Sequence, residues 1–176
     1  MKHFQMVIIL TLSCLLAVSA TASEDPLANA RALAQKHILV DTHIDVPYRL
    51  QDDWEDVTRA TRRGEFDLPR ARAGGLDIPF MSIYTPAEME AEGGSYQLAN
   101  KLIDSVEAMV ARAPGQLTIV RTPGEAEAAF EAGKVGLALG MENGSPLEHE
   151  LENVRFFRDR GISYITLAHS LSNQLS

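Results

Sequence analysis

Cysteine is nearly absent from this chain. The single one, Cys14, lies inside an N-terminal apolar run, so no disulfide framework can hold the fold together. Long hydrophobic stretches are missing as well. The apolar run Met6 to Val18 falls short of the roughly 20 residues that a membrane-spanning helix needs. Basic residues are outnumbered, with 16 Lys and Arg against 24 Asp and Glu and a formal charge of −8. That balance argues against nucleic acid and anionic membrane surfaces as partners. No low-complexity tract or short repeat is present. No glycine-rich dinucleotide fingerprint follows the first apolar strand.

What is present begins with a targeting segment. Lys2 and His3 open residues 1–22, the apolar run follows, and Ala20-Thr21-Ala22 is a small-residue cleavage pattern. The expectation is a signal peptide over 1–22 and export to the periplasm or the extracellular space. Cys14 has more apolar residues after it, so it does not read as a lipid-anchor cysteine. Cleavage removes Cys14 and Lys2 and leaves a mature chain without cysteine, one unit more negative, and without a membrane span. Residues 23–176 are expected to be part of one domain, because a composition with 45% hydrophobic residues supports a real core.

Periodicity divides that region into alternating elements. Asp25 to Lys36 reads as a short helix with Leu27, Ala30, Leu33 and Ala34 at helical spacing. Ile38-Leu39-Val40 reads as the start of a buried strand. A polar stretch from Tyr48 to Glu65 follows, longer than ordinary connections. Leu76 to Tyr84 is a second strand, with Pro79 as an irregularity. Tyr96 to Arg112 is the clearest helix, with an apolar stripe of Ala99, Leu102, Ile103, Val106, Met109 and Val110. Leu117 to Val120 is a strand, Pro123 to Ala132 a helix, and Val135 to Met141 a strand. Leu147 to Arg160 reads as a helix with Leu147, Leu151, Val154 and Phe157 inward, and Ile162 to Ala168 as a fifth strand. Apolar strands alternating with helices call for a parallel sheet covered by helices. Two architectures satisfy this pattern: an open doubly wound sheet, or the first part of an eight-stranded (β/α) barrel.

The chemistry-bearing residues cluster in sequence just after strands. His43 and Asp45 follow the first strand, two residues apart, and side chains with that spacing share a side of a strand. Glu142 follows the fourth strand and His169 the fifth. All belong to the C-terminal strand ends, where such folds build their sites. Histidine and carboxylate ligands converging on one point suit a zinc-like cation. Other polar residues have plainer readings: His37 ends a helix, His149 is solvated, and Arg155, Arg158 and Arg160 complement a helix C-terminus. Ser145, Ser170 and Ser172 show no histidine–aspartate partnership in the sequence.

Four segments together resemble the membrane dipeptidase (renal dipeptidase) family of zinc peptidases. They are Asp41-Thr42-His43-Ile44-Asp45-Val46-Pro47; Asp67 to Gly75 with Phe80 to Tyr84; Gly140-Met141-Glu142-Asn143-Gly144; and Tyr164 to Ser170 continuing to Asn173. They occur in order over nearly all of residues 38–176. The resemblance implies a (β/α)8 TIM-type barrel of the amidohydrolase-like kind, of which this chain holds about the first five strands. It implies two zinc ions per complete site and a hydroxide bridging them. His43 and Asp45 would ligate one ion, and Glu142 would bridge both. His169 would contact the substrate and steady the developing oxyanion rather than bind metal. The family's two further histidines, its substrate-side arginine and its late aspartate have no counterparts in residues 1–176. The chain is therefore expected to be an N-terminal portion, inactive by itself. Asn143 and the residues after Gly144 depart from the commonest family version of that block. The implied substrates are small dipeptides, in bacteria often with D-residues, and a homodimer is the expected assembly. Two alternatives stand beside this reading: another amidohydrolase-like hydrolase, and an exported, non-catalytic binding module.

Overall fold

A computed structural model describes residues 25–176; the segment 1–22 read above as a signal lies outside the described residues. The element order is α1 (Pro26–Lys36), β1 (Val40–Ile44), α2 (Val46–Asp52), α3 (Leu68–Gly74), β2 (Ile78–Tyr84), α4 (Met89–Glu92), α5 (Ser95–Arg112), β3 (Leu117–Ile119), α6 (Pro123–Glu131), β4 (Val135–Glu142), a 3-10 turn (Ser145–Leu147), α7 (Leu151–Asp159) and β5 (Ile162–Thr166). The strands form one parallel, five-stranded sheet. β2 joins β1 to β4, and β4 is the hub. β3 pairs with its first residues, Val135 to Leu137, and β5 with its last, Leu139 to Glu142. The run β1-β2-β4-β5 is the side-by-side progression of the opening strands of a (β/α) barrel, with β3 as a three-residue addition.

Side-chain alternation decides what each face does. Met81 and Ile83 of β2 and Leu137, Leu139 and Met141 of β4 are fully buried on one face. They belong to the same core cluster as Leu102, Ile103 and Val106 of α5 and Phe157 of α7. The opposite face carries Ile78 and Phe80 of β2 and Ala138 of β4, which line an apolar cavity of about 360 Å³ together with Val40. Small residues at Gly136, Ala138 and Gly140 keep the β4 side of this face thin. A Cβ at Gly140 would lie 2.2 Å from the Tyr164 ring, so a side chain is excluded there. Tyr164 crosses this space and donates to the Thr42 carbonyl at 3.0 Å, linking β5 to β1, which do not pair with each other.

Three expectations change at the edges of the sheet. β1 is not buried: Leu39 is 39% and Val40 51% exposed. It pairs with β2 alone among the described residues, so its apolar side chains lack a second neighbour. α1 forms where expected, capped by Asp25 accepting from the Leu27 amide at 3.0 Å, yet it buries no residue. The predicted helix from Leu147 begins only at Leu151. Leu147 closes a 3-10 turn centred on Pro146, and Glu148 and His149 take positive φ, a conformation that breaks the helical ladder. Phe157 is then the one buried residue of α7, while Leu151 is 84% exposed. The polar stretch after Tyr48 resolves into α2 followed by an irregular loop. Pro79 stands opposite Asp41, beside the register shift between β1 and β2, as its missing donor requires.

The irregular loop is tied down by a buried carboxylate. Asp67 caps α3 by accepting from the Arg70 amide at 2.8 Å. It also accepts from the Arg70 Nε at 2.9 Å, the Thr61 amide at 2.9 Å and the Thr61 hydroxyl at 3.2 Å. Burial pushes its carboxyl up, and the hydrogen bonds from Thr61 and Arg70 outweigh burial and hold it below the usual carboxylate range.

Candidate functional site

The residues singled out after the strands meet at one end of the sheet. β1 delivers His43 in its last turn of chain, and Asp45 stands between β1 and α2 as the helix N-cap. Parallel pairing in register places Tyr84 beside Glu142 at the ends of β2 and β4. His169 lies three residues beyond β5, where the chain bends back through a His169–Leu171 bridge.

The distances bring all four sequence-predicted residues together. His43 Nε2 is 3.2 Å from Asp45 Oδ1 and 3.1 Å from Glu142 Oε2. His169 Nε2 is 3.2 Å from the other Glu142 oxygen, Oε1. Glu142 thus stands between the two histidines, with one oxygen toward each. An imidazole nitrogen carries at most one proton, so hydrogen bonding to His43 accounts for one of its two carboxylate contacts, not both. One ligand atom from each of His43, Asp45 and Glu142 lies within 4.8 Å of the others. One nitrogen and two carboxylate oxygens form a donor set that fits a divalent cation of the zinc type.

Several residues that the sequence reading did not single out complete the environment. Ser82, fully buried on β2, donates its hydroxyl to Glu142 Oε2 at 2.9 Å. Tyr84 meets the His169 ring edge-on, with centroids 5.1 Å apart, and Tyr48 in turn meets Tyr84 at 4.9 Å. Asp45, Tyr48, Tyr84, Glu142 and His169 line an open pocket of about 220 Å³. Burial pushes the Tyr84 phenol up, reinforced by Tyr48, Glu88, Glu142 and Asp45. Burial does the same at Tyr164, with Glu142 and Asp45 adding to it. Both rings therefore stay neutral hydrogen-bond donors at the site. A sequence signal existed for two of these residues. Ser82 and Tyr84 sit two apart on β2, the period that puts both on the face of Glu142. Ser170 Oγ lies 3.1 Å from His169 Nδ1, so the hydroxyl orients the ring rather than standing alone.

The chain is similar in sequence and in fold to known proteins. The family described as Membrane dipeptidase (Peptidase family M19) matches residues 27–176. Dipeptidase 3 of Mus musculus is 31% identical over 148 residues, covering 81% of this chain and 29% of that protein. Among solved structures, PvdM from Pseudomonas aeruginosa superposes with a TM-score of 0.75 at 21% identity, covering 84% of this chain and 38% of that one. A metallo peptidase from Rhodobacter sphaeroides, liganded with a phosphinate mimic of the dipeptide L-Ala-D-Ala, superposes with a TM-score of 0.68 at 21% identity. It covers 77% of this chain and 46% of that one. The chain thus spans less than half the length of each of these relatives. No helix among the described residues is long and apolar enough to cross a membrane. With the family match running from α1 to Ser176 and the parallel strands converging on His43, Asp45, Glu142 and His169, the chain belongs to the membrane dipeptidase family of metallopeptidases, M19.

Proposed function

We propose that this chain carries the first half of a dinuclear zinc dipeptidase site. The observation that carries the reading is the convergence of His43, Asp45 and Glu142 within 4.8 Å in a chain of this family. His43 and Asp45 would hold one ion through Nε2 and a carboxylate oxygen, and Glu142 would share its carboxylate between two. Bound zinc supplies an activated water at neutral pH and polarises the peptide carbonyl.

The chain's own residues prepare that chemistry. The Ser82 hydroxyl pins Glu142 Oε2 toward His43 and so fixes which oxygen faces which side. His169, placed by Glu142 Oε1 and by Ser170, points its imidazole into the pocket. With Glu142 Oε1 committed to an ion instead of to His169, the Nε2 proton would be free to donate to the carbonyl oxygen as negative charge develops, an interaction of about 3 kcal/mol in comparable sites. Tyr84 and Tyr48 form an aromatic wall beside it, which limits the space to a small substrate. The Rhodobacter sphaeroides relative was crystallised with a mimic of L-Ala-D-Ala, and this supports short dipeptides, D-residues included, as the substrate class. Export under the segment 1–22 and assembly as a homodimer complete the reading.

Hydrolysis of L-Ala-D-Ala and L-Ala-L-Ala by the full-length protein tests it. Activity is expected to vanish after exhaustive chelation and to return with zinc. Turnover that survives metal removal, or a zinc-loaded protein that cleaves neither dipeptide, sinks the proposal. Ser82→Ala tests the orientation of Glu142. The expected result is a loss of roughly tenfold in zinc affinity, as for other partners that steer a ligand from behind, with the fold retained. Competition against a chromogenic chelator measures it.

A further inference from the structure

Asn143 follows Glu142 directly and has a backbone φ of +79°, in the left-handed region that asparagine tolerates better than most side chains. It is 1% exposed. A polar side chain buried this deeply has to find partners, and Asn143 finds them on the turns after three different strands. Its amide donates to the Thr85 carbonyl at 3.0 Å, just beyond β2. Its carbonyl oxygen accepts from the Ser145 amide and hydroxyl at 3.3 and 3.1 Å, in its own turn. The same oxygen accepts from Asn173 Nδ2 at 2.8 Å, beyond β5.

Asn173 completes the link. Its Nδ2 also donates to the Leu167 carbonyl at 2.6 Å, and its Oδ1 accepts from the Leu175 amide at 2.8 Å. The Gly144 amide donates to the same Leu167 carbonyl at 3.3 Å. A Cβ at Gly144 would lie 2.4 Å from Leu175 Cδ1 and 2.9 Å from that carbonyl oxygen, so the two turns are in contact. Glu142 precedes one end of this link, and His169 lies between Leu167 and Asn173 on the other.

We propose that the Asn143–Asn173 pair is a clasp that sets the separation between Glu142 and His169, making both asparagines positioning residues for the site. The inference rests on the functional reading above for its kinetic consequence, and on the hydrogen bonds alone for its structural one. Glu142 and His169 are carried by different strands, and their side chains meet through a single contact. Without the clasp, the loop holding His169 stays joined to the Glu142 turn by the β4–β5 pairing that ends at Glu142 and Thr166, by the Gly144 amide on the Leu167 carbonyl, and by Gln174, which donates to the Gly144 and Ser145 carbonyls and accepts from the His149 amide; none of these holds the Asn143 side chain that follows Glu142.

The test uses the full-length protein with Asn143→Gly, Asn173→Ala and the double variant. Glycine keeps the positive φ while removing the amide, and Asn173→Ala leaves Asn143 and its other bonds in place as a second route should the first variant fold poorly. Each single variant is expected to lower kcat about tenfold with KM within about twofold. Each also shifts the His169 ring resonance in the NMR spectrum in the same direction. The double variant loses less than the sum of the two single ones, because the Asn143–Asn173 bond is counted in both. An unmoved His169 resonance in both single variants overturns the clasp, and so do additive losses in the double. If the wild-type protein cleaves no dipeptide, the functional reading fails by itself, and the resonance still decides the clasp.

Discussion

Glu142→Gln is expected to lower zinc affinity of the full-length protein by more than about a hundredfold and to take dipeptide hydrolysis to background. About a hundredfold is the upper end of what removing a partner behind a ligand costs, and Glu142 is more than such a partner. Its two oxygens face His43 and His169 at 3.1 and 3.2 Å, and Ser82 donates to it at 2.9 Å. Glutamine keeps the volume and removes the charge. It also forces an NH2 group onto one of the two sides, where it meets either a ligating position or the His169 Nε2 proton. On the proposed reading, a single substitution would remove a ligand and misplace the oxyanion donor together. Isothermal titration with zinc and a stopped peptide assay read the two effects separately. Zinc affinity within tenfold of wild type in Glu142→Gln rules out its role as a shared ligand.

Asp67→Asn gives the largest expected loss of stability, about 3 kcal/mol near neutral pH. A hydrogen bond to a charged group contributes about 1.5–3 kcal/mol, and the amide cannot accept at every position where Asp67 does. The Thr61 amide, the Thr61 hydroxyl and the Arg70 guanidinium all converge on Oδ2, while the Arg70 amide takes Oδ1. An NH2 group at either place sets a donor against a donor in a site 1% exposed. Arg70 also donates to the Gly64 carbonyl at 2.9 Å, so the loop behind α2 loosens with it. The pH dependence has a definite sign. The folded carboxyl is held below its ordinary value of 3.8, so its contribution is fully present above that value. It is lost as pH falls through the depressed folded value. The gap between wild type and Asp67→Asn in urea unfolding is therefore expected to be constant from about pH 7 to 5 and to narrow below about pH 4. A gap under about 1 kcal/mol, small beside the hydrogen bonds it should remove, or one unchanged at pH 2.5, counts against this account.

Much of the site was legible because its residues are carried by local signals. His43 and Asp45 lie two apart at a strand end, Glu142 ends a run of Val, Gly, Leu, Ala and Met, and His169 follows another apolar strand. Strand ends in a parallel sheet all face one way, so the order of elements alone predicts that such residues can meet. Ser82 and Tyr84 were given no role in the site because a serine and a tyrosine in an apolar strand have ordinary packing roles until register puts them beside Glu142. Asn143 and Asn173 stood in the segments that carry the family resemblance, but their contact was hidden for a stronger reason. Their partners, Thr85, Leu167 and each other, are up to 58 residues apart in sequence, and nothing in local pattern couples such positions.

The sequence by itself determined the parallel α/β architecture, the helix limits set by Asp25, Pro123 and Gly161, and the residue types that can bind a cation. These follow from local sterics, capping and side-chain period, which act over a few residues. Tertiary structure alone decided how much of β1, α1 and α7 is covered, since exposure depends on which neighbours exist and not on the pattern of the element itself. It also decided that Leu147 would close a 3-10 turn rather than start a helix, because the positive φ at Glu148 and His149 suits the turn packed under Asn143 and Gln174. And it alone brought one oxygen of Glu142 to each histidine, a geometry fixed by the register of three strands and the bonds between their turns.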